Sequence, residues 1–445
     1  MSEIPRLTGL DSTRAFRADP YGFIATHCRR FGTDVFEARI ALQRTLCMSG
    51  PEAARQFYDA ERFMRHGAAP EVVRGTLFGK GGVQGLDDAA HLRRKQLFMT
   101  LMSRERIARL VALTLEQWEA AARQWALSSH VQLYDELHSI LTRAVCAWAG
   151  VALPESEVTL RAHDLTALYD LAGAVPVGHL RARQARWRSE DWLARQVRAF
   201  RRSQRDAPLD TPLALFANHI NERGVRLLPR VAAVELLNVL RPVVAISVYI
   251  TFLAHALERY PDWRDRVAHE ADAVEWFVQE VRRFYPLFPA VFARVRRSFE
   301  WLGYTFEPGR RALLDLYGTN HDPRTWEHPK EFRPERFAQW RPNAYNFIAQ
   351  GGGDFFTQHR CAGEWLTIEM MKGALWFLTE RLSYELPQQD LGIDRQRLPA
   401  LPRDHFVIRS VSLVDPDVAR PTLQPAEWAR RTNGVSWVSA GLTAH

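Results

Sequence analysis

A cysteine set in glycine-rich text is the first residue of this chain that could do chemistry. Residues 346–364 run Asn-Phe-Ile-Ala-Gln-Gly-Gly-Gly-Asp-Phe-Phe-Thr-Gln-His-Arg-Cys-Ala-Gly-Glu, and a long helical pattern opens at Gly363. Cys361 therefore stands where a helix N-terminus offers orphan N–H groups and the positive end of a dipole, both of which favour a thiolate. His359 and Arg360 add positive charge beside it. Such a cysteine is either a reactive thiol or a soft metal ligand, since an inert core cysteine needs neither the glycines nor the cations. A second candidate is Arg241-Pro242, which interrupts an apolar helical pattern. A guanidinium in apolar company must find an anion, and a planar carboxylate takes it through two parallel charge-assisted bonds. Glu235 lies six residues away on a different helical face, which makes it a poor internal partner. Glu280 and Arg283 share one helical face, and Arg336 follows in Pro-Glu-Arg-Phe (334–337). Alone, a Glu-x-x-Arg pair is what any arginine-rich chain carries on a solvated face. In that order before a glycine-rich loop and a cysteine, it carries information.

Helices must position these residues. The periodicity predicts helices over roughly 89–102, 104–126, 134–150, 231–260, 263–284 and 363–383, with Ser103 or an adjacent residue capping the second and Pro261 following the fourth. Pro242 removes one N–H and is expected to kink or loosen the turn before it. Strand-like text is scarcer: 299–306 and 311–316 flank Glu307-Pro308-Gly309, a turn signal. The stretch 203–230 reads as a surface connection, and no internal repeat is visible. One mostly helical domain with a minor β portion is expected.

Composition narrows the class. With 445 residues, 47% hydrophobic and 25% charged, the chain can bury a large core, which excludes small stapled scaffolds and disordered or collagen-like chains. Cys28, Cys47, Cys146 and Cys361 lie far apart with no zinc-site spacing, which suits a reducing compartment. No positive segment followed by an apolar one opens the chain, and the apolar run 242–257 is too short to span a bilayer; a cytoplasmic protein without a membrane span is expected. The net charge of +8 raises the question of nucleic acid. Only Lys80, Lys95, Lys330 and Lys372 are lysines, however, and no basic patch interleaved with aromatics appears, so no nucleic-acid partner is expected.

The order Glu-x-x-Arg, Pro-Glu-Arg-Phe, glycine-rich loop, cysteine resembles the haem-thiolate cytochrome P-450 superfamily over roughly residues 15–415. The resemblance implies a mainly α fold with a minor β portion, a triangular helical prism around a buried haem. It implies residues 1–414 as the haem-thiolate domain and 415–445 as a C-terminal extension of unknown role. Cys361 matches the axial ligand of the iron in haem b (iron protoporphyrin IX), whose thiolate favours O–O cleavage. Glu280, Arg283 and Arg336 match the triad that braces the proximal core. The chain departs from the common pattern at Asp354, where phenylalanine is usual, and at Thr357, where glycine is usual.

The helix that in most members carries an acid followed by threonine has no such pair here. Arg241-Pro242, together with Gly-Gly-Gly-Asp (351–354), resembles the hydrogen-peroxide-dependent fatty-acid peroxygenases, the bacterial fatty-acid alpha-hydroxylases among them. The segments 279–286, 314–318 and 143–151 look like that group as well. What the resemblance implies is substrate-assisted chemistry: the fatty acid's carboxylate, gripped by Arg241, serves as general acid–base toward H2O2, so no redox partner is required. Gln84 matches a position where glutamine accompanies hydroxylation and histidine accompanies decarboxylation. Phe78 matches a position where a bulky ring leans toward Cβ. Hydroxylation at Cα or Cβ, decarboxylation to a terminal alkene, and a conventional monooxygenase fed by a partner protein all stay open, with Cα first. Arg65, His91, Lys95 and His359 match contacts to the haem propionates. Leu77, Phe78, Phe288, Pro289 and Phe292 are the expected lining of an apolar channel. Gln358 stands where the group has glycine, and Ala362 where it has proline.

Overall fold

The computed structural model describes residues 3–172, 177–203, 210–221 and 224–414; the expected extension 415–445 lies outside them. Helices dominate. Ser103 caps Arg104–Trp125 by accepting a bond from the N–H of Arg106 at 3.4 Å, as its residue type demands. Leu133–Ala149 ends at Gly150 in the left-handed region, where glycine carries no Cβ penalty. These two helices pack on Val158–Asp170, Val177–Arg202 and the central pair Pro229–Val244 and Ile246–Arg259 to form one large core.

The central helix is interrupted, but not where the sequence suggested. Pro242 gives up only its own bond to the Asn238 carbonyl, and the helix runs through it to Val244. The break comes at Ala245, whose N–H still reaches the Arg241 carbonyl (2.9 Å) while its own carbonyl is taken by Val248 in a tighter i to i+3 bond (3.2 Å). Pro229–Arg259 is the one stretch among the described residues long and apolar enough to cross a membrane, and 89% of its apolar window is buried inside the protein. Burial on all sides accounts for its apolar text.

Two other expectations are corrected. The helix expected over 263–284 divides into Asp262–His269 and Ala271–Phe284, because Glu270 is extended between them. The supposed surface connection 203–230 contains a helix, Pro212–Asn218, with Leu213, Ala214, Phe216 and Ala217 buried. Thr211 caps it and Pro212 occupies its first position, where proline is a helix start signal.

The β portion sits at one side. A five-stranded sheet runs in the order Val35–Ile40, Gln43–Met48, Arg311–Asp315, Ala290–Val295, Phe63–Met64. Gln43–Met48 and Arg311–Asp315 are parallel, and the other pairs are antiparallel. The segment 299–306 is itself a hairpin, Phe299–Trp301 with Tyr304–Phe306, and does not pair with Arg311–Asp315. Strand alternation sends Ala293 and Val295 of Ala290–Val295 to a cluster with Phe57 and Tyr58, and Ala290 and Phe292 to the opposite cluster with Phe23 and Phe36.

Candidate active site

Cys361 lies at the end of a loop held by its own side chains. The Cys361 N–H donates to the Gln350 carbonyl (3.1 Å), and the Glu364 N–H donates to the Cys361 carbonyl (3.3 Å) as helix Glu364–Trp376 begins. The residues that depart from the superfamily pattern bond to one another. Asp354 Oδ1 accepts from the N–H groups of Phe356 (3.0 Å) and Thr357 (2.7 Å) and from Thr357 Oγ1 (2.6 Å). Gln358 Oε1 accepts from the Asp354 N–H (2.6 Å), while its Nε2 donates to the Tyr58 carbonyl (2.7 Å). A Cβ on Gly353, whose φ is +84°, would lie 2.1 Å from Gln358 Oε1, so the longer residue at 358 depends on the glycine at 353.

The charge around the thiol differs from the expectation. Burial pushes the Cys361 thiol up, and this outweighs Lys95 and the helix-terminal N–H of Gly363, which pull it down. Arg360 is not free to help, because its Nε donates to Glu364 Oε2 at 2.6 Å. His359 is held neutral, down at about 3 by burial, and stacks on His91 with ring centroids 3.7 Å apart. The cation that faces the sulfur is Lys95, whose Nζ donates to the Arg360 carbonyl. In the bare polypeptide this cysteine favours the thiol; a coordinating metal would deprotonate it outright.

Behind the loop, Glu280 is a fully buried hub. Its carboxylate takes Arg283 Nε and Nη2 (both 2.7 Å), the Arg333 N–H (2.8 Å) and Arg336 Nε (3.3 Å). Arg283 continues to the carbonyls of Asn320 (3.1 Å), Pro329 (2.9 Å) and Glu331 (3.1 Å). Helix Ala271–Phe284 is thereby tied to the segment that leads into the cysteine loop, with every charge and donor matched.

Arg241, on Pro229–Val244, is the opposite case. Only 6% of it is exposed, its Nε has no partner, and it forms no ion pair among the described residues. Glu235, the internal partner considered from sequence, is committed elsewhere: Arg94 takes one oxygen and Asn238 Nδ2 the other at 3.1 Å. Burial, with the charge of Arg186 second, lowers the Arg241 guanidinium to about 9. One turn earlier, Asn238 Nδ2 also donates to Gln84 Oε1 (3.1 Å), which brings Gln84 to the same helix. Leu77 and Phe78 end the short turn Arg74–Phe78 and pack on the main core. Sequence reasoning missed what holds that turn: Arg186 donates to the carbonyls of Thr76 (3.4 Å), Leu77 (3.3 Å) and Phe78 (3.3 Å), while its Nε pairs with Glu190 (2.6 Å). A Cβ on Gly79 would lie 1.8 Å from Arg186 Nη2, so only glycine fits there. Phe288 packs beside the Phe57–Tyr58 cluster, and Phe292 on the far face with Phe23 and Phe36; neither joins the cluster that holds Leu77 and Phe78.

Comparison with known proteins decides the family. The cytochrome P-450 family model matches residues 259–406. A solved structure of cytochrome P450SP alpha (CYP152B1) in complex with (R)-ibuprophen superposes with a TM-score of 0.89 and 49% identity, over 91% of this chain and all of that one. Cytochrome P450EX alpha (CYP152N1) with myristic acid gives 0.90 and 41%, over 93% and 100%. A variant of cytochrome P-450 OleT with arachidonic acid gives 0.90 and 33%, over 93% and 99%. This chain belongs to the cytochrome P-450 family.

A P-450 fold carries a thiolate-ligated haem, and the buried cations beside Cys361 suit one. Arg65 is lowered by burial, its guanidinium 4.4 Å from the Phe57 ring centre. His91 is lowered to about 4 and Lys95 to about 8, again by burial. Asp87 stands among them as their carboxylate: its oxygens accept the N–H groups of Arg65 and His66 (both 2.8 Å), and Oδ1 lies 3.9 Å from His359 Nε2. Asp87 alone serves Arg65, His91 and His359, and two propionates would add acceptors to this cluster of buried donors. His91 and Lys95 do share a helix face, as their spacing requires, yet they turn to different partners, His359 and the Arg360 carbonyl.

Proposed function

We propose that this P-450 is a haem-thiolate peroxygenase that uses hydrogen peroxide to hydroxylate long-chain fatty acids next to the carboxylate, at Cα with Cβ close behind. Arg241 carries the proposal. It is a buried guanidinium with no anion among the described residues, on a helix lacking the acid–threonine pair that would otherwise deliver protons. The relatives' structures hold (R)-ibuprophen, myristic acid and arachidonic acid, each a carboxylate on an apolar body. Residues 1–414 form the catalytic domain in this reading.

Cys361 would hold the iron of haem b, and Arg65, His91, Lys95 and His359 would hold its propionates; bound there, the group would supply the chemistry of peroxide O–O cleavage. The chain's own part is to place the acid. Arg241 donates two parallel N–H bonds to the substrate carboxylate, and low local polarity strengthens them. The carboxylate stays ionised against the guanidinium, and one of its oxygens accepts a proton from peroxide and returns it to the departing oxygen, which leaves as water. General acid–base help of this kind contributes about 10²–10⁴-fold. Because the carboxylate is fixed, only the carbons nearest it come within reach of oxidation. Gln84 has its oxygen occupied by Asn238, which leaves its NH2 group free to donate toward the bound acid. Leu77 and Phe78 offer apolar surface, and each buried CH2 of the substrate adds about 0.8 kcal/mol. The oxidant arrives as peroxide, so no redox partner is required.

The test is to incubate purified holoenzyme with peroxide and fatty acids of graded length, without reductase or nicotinamide, and to separate the products. Hydroxy acids are expected. No product unless a reductase is added would sink the peroxygenase reading, and terminal alkenes as the main product would replace hydroxylation with decarboxylation. Arg241→Ala should keep its haem and lose fatty-acid turnover; retained turnover would refute the clamp.

A further inference from the structure

Arg282 and Arg283 are neighbours on helix Ala271–Phe284, yet only Arg283 belongs to the brace. Arg282 turns toward the cysteine loop, almost fully buried, and pairs with Glu364 (Nη2 to Oε1, 2.5 Å). It also donates to Gln350 Oε1 from Nε (3.3 Å) and from Nη2 (3.2 Å). A guanidinium has donors only, so the end of the Gln350 amide that faces it must be the oxygen. The NH2 end is thereby aimed the other way, at Thr367 Oγ1 (3.1 Å) and Cys361 Sγ (3.9 Å). Thr367 uses its own hydroxyl proton on the Gly363 carbonyl (2.9 Å), which leaves only a lone pair for Gln350. The backbone of Gln350 holds the same cysteine, since its carbonyl accepts the Cys361 N–H at 3.1 Å. The arrangement is a relay: a buried cation fixes and polarises an amide, and the amide presents an N–H to the sulfur.

We propose that Gln350 is a positioning residue for the axial sulfur. Its side chain, oriented by Arg282 and Glu364, donates an N–H to the Cys361 thiolate and restrains electron donation from sulfur to iron. The inference rests on the haem-thiolate reading above. Hydrogen bonds to a ligating sulfur draw density from it and favour the reduced metal, so this donor raises the reduction potential of the iron. Arg282 strengthens the effect, because an amide whose oxygen binds a cation is a better donor at its nitrogen.

Gln350→Leu removes the donor at similar volume, and Gln350→Glu keeps the grip of Arg282 while offering the sulfur only acceptors. The readouts are the spectroelectrochemical midpoint potential of the holoenzyme and its iron–sulfur stretching frequency by resonance Raman. Both variants should move the potential to more negative values and raise the stretching frequency. Thr367→Val removes the competing acceptor and leaves the amide to the sulfur, so its potential should stay level or rise. A Gln350 variant at the wild-type potential would overturn the inference, as would a Thr367→Val potential that falls as far as that of Gln350→Leu. Should the wild-type ferrous carbonyl adduct lack the red-shifted band of thiolate ligation, the haem-thiolate reading itself fails and this inference falls with it.

Discussion

Replacing Arg241 by methionine tests whether this site holds charge in reserve for a substrate. Arginine ordinarily titrates above about 12. Burial and the nearby charge of Arg186 bring this one to about 9. At about 1.4 kcal/mol per pH unit, holding the charged side chain in the folded core at neutral pH costs on the order of 4–5 kcal/mol. Relaxation of the surroundings reduces what a substitution returns, and exchanging an unmatched buried charge for a hydrophobe stabilises by about 1–4 kcal/mol. The substrate-free Arg241→Met holoenzyme should therefore be more stable than wild type by that amount in guanidinium-chloride unfolding at matched haem content. A base whose folded pKa is depressed carries its full penalty below that pKa, and the penalty fades as the pH rises through it. The stability gap should thus be level at neutral pH and narrow above about pH 9. Peroxide-driven turnover of fatty acids should fall by at least about 10²-fold. A saturating fatty acid should raise the unfolding midpoint of wild type and leave that of the variant in place. A variant less stable than wild type would mean that Arg241 is satisfied by the protein itself, and the reasoning would be refuted.

Three further outcomes are expected. Glu280→Gln strands the buried Arg283 and the largely buried Arg336, and should cost about 3–5 kcal/mol in the same unfolding assay; a loss below about 1 kcal/mol would show the brace to be dispensable. Asp315 accepts from the Gly318 N–H (2.7 Å) and Ser49 Oγ (3.2 Å), yet burial lifts its carboxyl to about 7. The folded chain then keeps a proton that the unfolded chain releases near pH 4, so this residue's contribution to stability falls as pH rises from about 4 to about 7. Wild type minus Asp315→Asn should trace that decline in pH-dependent unfolding, and a difference independent of pH would contradict the assignment. Finally, a short carboxylic acid added to wild type should permit peroxide oxidation of substrates that lack a carboxylate, because the additive supplies the missing acid–base group at Arg241. Chromatography showing such substrates untouched would count against the carboxylate's role.

The features legible in sequence were those in which chemistry sits in one short segment. Glycine-rich text, Cys361 and the helix after it stand within nineteen residues, and Glu280 with Arg283 are three apart. Their geometry follows from helix periodicity and from the left-handed backbone that Gly351 and Gly353 adopt. What escaped depended on partners far along the chain. Spacing set Glu235 aside as a partner for Arg241, but could not show its true partner, Arg94, 141 residues away. Arg360 looked free beside the thiol, but Glu364, one helical turn on, had already claimed it. The fate of the thiol also turned on burial, which has no local sequence signature, and burial won over the helix terminus and Lys95. The helix Pro212–Asn218 escaped because proline marks loops and helix starts alike.

The parallel pairing of Gln43–Met48 with Arg311–Asp315 has a consequence for synthesis. The side chains of Thr45 and Arg311 meet across 266 residues of chain. At about 5–20 residues per second, a ribosome needs on the order of 15–50 s to supply the second strand after the first. For that interval the early strand has one antiparallel partner, Val35–Ile40, and an open edge of the kind that recruits other chains. Between the two strands, Arg104–Trp125 packs on Leu133–Ala149, its neighbour in sequence, and such helix pairs have time to associate first. His91 likewise waits for His359, on which its ring stacks, so the surroundings of Cys361 close among the last parts of the molecule. Slow translation or shortage of haem at that moment should show as aggregation of nascent chains, while chains already completed keep their activity.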